Sequence, residues 1–140
     1  MQQVEGKSNF SEDEINQFHS TVKLINNNII LLESFPIRSK EKAAIQLQKV
    51  DELTENLTYF YLIADSRKIT DRGDPKYRSW MNEQLNRRRK IKHLYIIVHK
   101  NSLVRIASKF ILSRLIDLKF SLHDKLETAL MHIQKLEEET

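Results

Sequence analysis

Two apolar runs constrain this chain more than anything else in it: Tyr59 to Ala64, reading YFYLIA, and His93 to Val98, reading HLYIIV. Each has the length of a strand and shows no alternation of apolar with polar residues, so both faces of such a strand must be kept from water. Strands covered on both sides belong to parallel sheets, where the crossover between neighbours is a helix lying across a face. The flanking sequence supplies those helices. Ala43, Ala44, Leu47, Val50, Leu53 and Leu57 follow Ser39 at three- and four-residue intervals, which predicts one helix face with Ser39 as N-cap. After the first run, Pro75 suits the first turn of a helix, where its missing amide costs nothing, and Tyr77, Trp80, Met81 and Leu85 form its apolar stripe. Arg87 to Lys90 then complement the helix dipole at its C-terminal end.

The other segments extend the pattern in both directions. Ser11 to Glu14 has the spacing of a capping box and predicts a short helix through Phe18. Thr21 to Ile25, the turn residues Asn26 to Asn28, and Ile29 to Leu32 read as a β-hairpin that stops before Pro36. Beyond the second run, Asn101 or Ser102 caps a helix through Leu103, Ile106, Ala107, Phe110 and Ile111 to about Leu115. Lys119 to Leu122 is strand-like, and Asp124 with Glu127 predicts a second capping box for a last helix carrying Leu126, Ala129, Leu130, Ile133 and Leu136 on one face. The expected class is α/β: a single mixed sheet of about five strands in the order β-β-α-β-α-β-α-β-α, a hairpin at one side and parallel strands beyond it.

Composition narrows the function classes. A chain of 140 residues is the size of one domain, here residues 20–140 preceded by a tail, residues 1–19, with its short helix. Without cysteine there is no disulfide, thiolate metal site or thiol nucleophile. No transmembrane stretch is present, and the opening MQQVEGKSNF lacks the apolar core of a secretion signal, so a cytoplasmic protein is expected. Gly6 and Gly73 are the only glycines, which leaves no Gly-rich phosphate loop and no nucleophile elbow, and catalysis is not expected. His93 and His99 bracket one strand, His19 and His123 lie near others, and His132 is read as facing away from the last helix's stripe, so no metal ligand set and no cofactor are expected.

This element order, the strand ending in Asp65 before a polar loop and helix, HLYIIVHKN opening a helix, and the closing KFSLHDKLETALMHI resemble the STAS family. The likeness is greatest to its divergent bacterial branch related to the sporulation anti-sigma-factor antagonist, which overlaps with a lipid-binding class. Phe120, Glu127, Ala129 and Leu130 match that branch around its last helix. The resemblance spans Ser20 to Leu136 and implies a regulatory module that acts by binding a protein. It also implies a serine, phosphorylated by a partner kinase, at the start of the helix after the central strand. Here that segment reads Ile69-Thr70-Asp71-Arg72-Gly73-Asp74, and Ser66 comes too early. Thr70 is the only hydroxyl near the right place, and Asp71 and Asp74 already supply negative charge, so the standard phosphorylation switch is not expected.

The candidate functional surface is therefore Asp65, Ser66, Arg67, Thr70, Asp71, Arg72, Asp74 and Tyr77, at the carboxyl end of a parallel strand where open α/β sheets place ligands. Asp65 can equally be held within the loop by Arg67 or Arg72, and the three aspartates, interleaved with Arg67, Lys68 and Arg72, read more simply as a solvated loop than as a cation site. A protein partner or self-association through this loop is the first expectation, and a small ligand, nucleotide or lipid, at the strand ends is the alternative. A weaker alternative is nucleic acid or an anionic membrane at the basic run Arg87, Arg88, Arg89, Lys90 and Lys92, in a chain of net charge +4. Leu112 and Ile116, on the side of their helix shared with Arg105 and Lys109, are a candidate apolar interaction face.

Overall fold

The central strands form where the two apolar runs lie. In a computed structural model, which describes residues 10–70, 75–100 and 118–139, the chain is α/β, with five strands in one mixed sheet. The order is α1 (Glu12–Ser20), β1 (Val22–Asn26), β2 (Ile29–Glu33), α2 (Lys40–Leu53), β3 (Phe60–Asp65), α3 (Pro75–Arg87), β4 (Ile91–Ile97), β5 (Phe120–His123) and α4 (Leu126–Glu138). The strands lie in sequence order, β1 antiparallel to β2 and every later neighbour parallel. The expected class and the hairpin are both present. The helix expected between Asn101 and Leu115, with Leu112 and Ile116, lies outside the described residues, as do Asp71, Arg72 and Asp74.

Alternation along the strands divides the core in two. Ile30, Leu32, Leu62, Leu94 and Ile96 face α2 and α3, where Val50, Leu85 and the half-buried Leu53 and Met81 cover them. Ile29, Tyr61, Ile63, Tyr95 and Ile97 face the other way and are covered by Ala129 and Ile133 of α4. Tyr61, Ile63, Tyr95 and Ile97 have no exposed surface. With side chains worth about 1.5–3 kcal/mol each on full burial, these two layers carry most of the fold's hydrophobic stabilisation.

The helix starts are set by local chemistry. Ser11 caps α1 in a complete capping box, with its hydroxyl accepting from the Glu14 amide and the Glu14 carboxylate accepting from the Ser11 amide. Phe18 of α1 is buried and packs edge-on against Phe10 and Phe35. Ser39 accepts from the Lys42 amide at the start of α2. The last helix corrects the sequence reading: its N-cap is Lys125, with no side-chain cap, and the Asp124–Glu127 box does not form. The first turn is tied instead by Thr128, whose hydroxyl donates to the Lys125 carbonyl at 2.9 Å and so holds the chain where Asp124 was expected to do so.

Gln46 is the buried polar residue that joins the N-terminal elements. Its side-chain amide donates to Thr21 Oγ1 at 2.8 Å and to the Glu33 carbonyl at 2.7 Å, linking α2 to the ends of α1 and β2. Removing the donor strands two acceptors in a dry place, so Gln46→Leu is expected to destabilise the protein by about 1–3 kcal/mol despite its similar volume. A thermal melt that does not fall by several degrees contradicts this assignment.

Candidate functional site

The parallel strands β2, β3 and β4 end on the same edge, and the gap between α2 and α3 above those ends is a cavity of about 130 Å³. Its floor is the α2/α3 face of the sheet, Leu32, Leu62, Ala64, Leu94 and Ile96, and its walls are Ala43 and Leu47 on one side and Met81 and Leu85 on the other. Small side chains make the space: Ala64 and Ala43 stand where their neighbours carry leucine or isoleucine. Ser34, Ser39, Ser66, Arg38, Arg78 and Tyr77 also line it, and among the described residues the lining includes no carboxylate.

The loops that frame this cavity are fixed to the sheet by backbone bonds. The Ser34 amide donates to the Asp65 carbonyl at 3.0 Å and the Ser66 amide to the Ile97 carbonyl at 2.8 Å, continuing the parallel pairing past the strand ends. The Ser34 and Ser66 hydroxyls lie 3.3 Å apart. Both the amide and the hydroxyl of Thr70 donate to the Pro36 carbonyl, at 2.8 and 3.1 Å, so the loop after β3 is stitched to the loop after β2. A cavity framed in this way is formed before any ligand arrives.

The residues expected at this surface divide into two groups. Ser66 and Tyr77 line the cavity. Asp65, Arg67 and Thr70 are engaged within the loops: the Arg67 guanidinium reaches the Asp65 carboxylate at 2.9 and 2.7 Å. The hydrogen bonds from Arg67 hold the Asp65 carboxyl below its ordinary value and raise that of Arg67 in turn. The basic run is similarly occupied in part. Arg88 makes two bonds of 3.0 Å to Asp51 and one of 2.9 Å to the Gln84 carbonyl, and Lys90 reaches the Thr54 and Glu55 carbonyls. Lys92 sits 4.7 Å from the centre of the Tyr59 ring, while Arg87 and Arg89 are exposed.

A second polar cluster, on the opposite face, was not expected. His132 does not face away from the sheet: its Nδ1 lies 2.6 Å from the Tyr95 hydroxyl, and His93, His123 and His132 gather around that tyrosine. Ala129 and His132 are three residues apart and share a helix face, which is the signal that the stripe count passed over. No group of three His, Asp or Glu side chains arranged to hold a metal ion is found among the described residues. Nor, among those residues, is any helix long and apolar enough to cross a membrane.

The fold and the cavity define a class: an α/β module with one mixed sheet and an apolar pocket at the carboxyl ends of its parallel strands. No protein-family model matches the chain, and no curated protein or solved structure matches it either.

The Asp65–Arg67 pair makes the loop's electrostatics testable. Because the folded carboxyl is lowered, its stabilisation is in place above the ordinary value of 3.8 and is lost as pH falls through the lowered one. Asp65→Asn is expected to cost less than about 1 kcal/mol at neutral pH, since the pair is half exposed to water. The difference in melting temperature from the parent is expected to shrink as pH falls below 3.8; a difference that does not shrink in acid contradicts the pairing.

Proposed function

We propose that this protein is a non-enzymatic, STAS-like regulatory module that binds a small amphipathic anion in the cavity between α2 and α3. The observation that carries the reading is the lining itself, an apolar body with three serines, two arginines and, among the described residues, no acid. A volume near 130 Å³ is enough for a benzene-sized group, so the buried part of the ligand is one ring or a short acyl segment. A whole nucleotide is too large for it. The anionic head belongs at Arg38 and Arg78, beside the Ser34 and Ser66 hydroxyls, where charge-assisted hydrogen bonds fix its orientation.

Calorimetry and thermal shift with hexanoate, benzoate and the matching neutral alcohols test this reading. The acids are expected to raise the melting temperature in proportion to occupancy, about 2.7 kcal/mol at a hundredfold excess over Kd, and the alcohols to do so less. Ala64→Leu, which fills the floor, is expected to abolish the shift, and Arg78→Gln to weaken acid binding by about ten- to a hundredfold, the equivalent of one charge-assisted hydrogen bond. Melting temperatures that no acid moves at millimolar concentration contradict the proposal.

A second reading, protein partnership or self-association through the same end of the sheet, has one observation in its favour. Ile37, on the loop that Pro36 ties to Thr70, is 69% exposed. If that isoleucine is an anchor, Ile37→Ser is expected to turn a dimer seen by light scattering into a monomer. A parent protein that is monomeric at high concentration removes self-association from consideration.

A further inference from the structure

Polar contacts at the middle and the C-terminal end of α4 hold it on the sheet. At its C-terminal end the Glu137 carboxylate accepts from Asn28 at 2.8 Å, from the Tyr59 hydroxyl at 2.9 Å and from the Tyr61 hydroxyl at 3.2 Å. At its middle His132 meets Tyr95, and the His132 ring centre lies 5.0 Å from that of His93 and 6.4 Å from that of His123. The Glu137 contacts require its carboxylate to be ionised.

The direction of the hydrogen bonds limits how much positive charge the histidines can take. Thr128 uses its hydroxyl proton on the Lys125 carbonyl, so toward His123 it accepts, and His123 Nδ1 carries a hydrogen. Ser121 Oγ lies 3.0 Å from His93 Nε2 and 2.9 Å from His123 Nε2. One hydroxyl can donate to one ring and accept from the other. If both rings are cations, two N–H groups converge on that oxygen and the serine proton loses its acceptor. The pair therefore tolerates one positive charge and not two. Lys119 before β5 and His132 on α4 both repel a charged His93. Tyr95 lies against the rings as a neutral phenol, and Tyr61 on β3 lies beyond it. Lys92 and Glu137 lie at the Tyr59 and Tyr61 end of the face.

We propose that the docking of α4 is proton-gated: acid charges His93 against His123, His132 and Lys119 and neutralises Glu137, and the C-terminal helix leaves the sheet face formed by Ile29, Tyr61, Ile63, Tyr95 and Ile97. The two sets of contacts act in the same direction. Burial, and then His132, His123 and Lys119, lower His93 from 6.5 to about 4; α4 shares in this through the burial and His132, so that part of its docking is whole above pH 6.5 and weakens as pH falls from there toward 4. The Asn28 hydrogen bond, and then those of Tyr59 and Tyr61, hold Glu137 below its ordinary 4.5, so its contribution is whole above that pH and is lost below it.

Hydrogen exchange read by mass spectrometry on the full chain, with protection corrected for intrinsic rate, tests this between pH 7.5 and 4. Peptides covering Leu126–Glu138 are expected to lose protection by up to about tenfold per pH unit below 6.5, while those of β3 and β4 keep theirs. Unchanged protection of α4 at pH 4.5 overturns the proposal, and so does simultaneous opening of β3 and β4, which signals global unfolding. His93→Phe keeps the ring against Tyr95 and removes the charge, so the loss is expected to begin at least one pH unit lower. An unmoved midpoint in that variant rejects His93 as the gate, and the parent profile decides the matter if the variant does not fold.

Discussion

The constraint on which this structure depends is that β3 and β4 lie side by side in the middle of the sheet with neither face open to water. Their parallel pairing brings Tyr61 beside His93 and Ile63 beside Tyr95, and every side chain along them must find cover. On one face the solution is apolar and shared between α2 and α3. On the other, among the described residues, a single helix covers a surface that includes two tyrosines and a histidine, so it must satisfy polar atoms as well as bury carbon. Glu137 and His132 meet the tyrosine hydroxyls, and Ser121 meets His93. Buried hydroxyls and imidazoles left unpaired cost more than an average hydrogen bond returns, and this fixes where α4 sits along the sheet.

The cavity follows from the apolar solution on the first face. Two helices cannot pack everywhere against a twisted sheet at equal distance, and over the strand ends Ala64 on the floor and Ala43 on the α2 wall leave space among larger leucines and isoleucines. The serines and Arg38 at that edge belong to the segments that leave the strands, and Arg78 to the first turn of α3. Backbone bonds from the Ser34, Ser66 and Thr70 amides to neighbouring carbonyls tie the loops after β2 and β3 together at that edge.

Much of the fold was legible because the signals are local. The two apolar runs, the Asn turn of the hairpin, Ser11 and Ser39 as caps, and Pro75 at a first turn each act within a few residues. The Asp124–Glu127 spacing is equally local, yet it misled, because Thr128 and the His123 ring settle the chain at that point through contacts with β4 and β5. Gln46 was passed over because its partners, Thr21 and the Glu33 carbonyl, lie elsewhere in the sequence. The histidine cluster has the same character: His93, His123 and His132 meet only once β4, β5 and α4 are in register, and no spacing along the chain announces it. Of the loop residues, Asp65 and Arg67 were legible as a pair, whereas the cavity beneath them depends on helix divergence that no pattern of residue types records.

A direct measurement of the second face's polar network is the titration of the individual imidazoles by NMR in the full chain. The account predicts that His93 stays neutral through pH 6.5 and takes its proton only near pH 4, with its Nε2 hydrogen-bonded throughout that range. A His93 ring that titrates at its ordinary value near 6.5, with α4 still seated on the sheet, would contradict it.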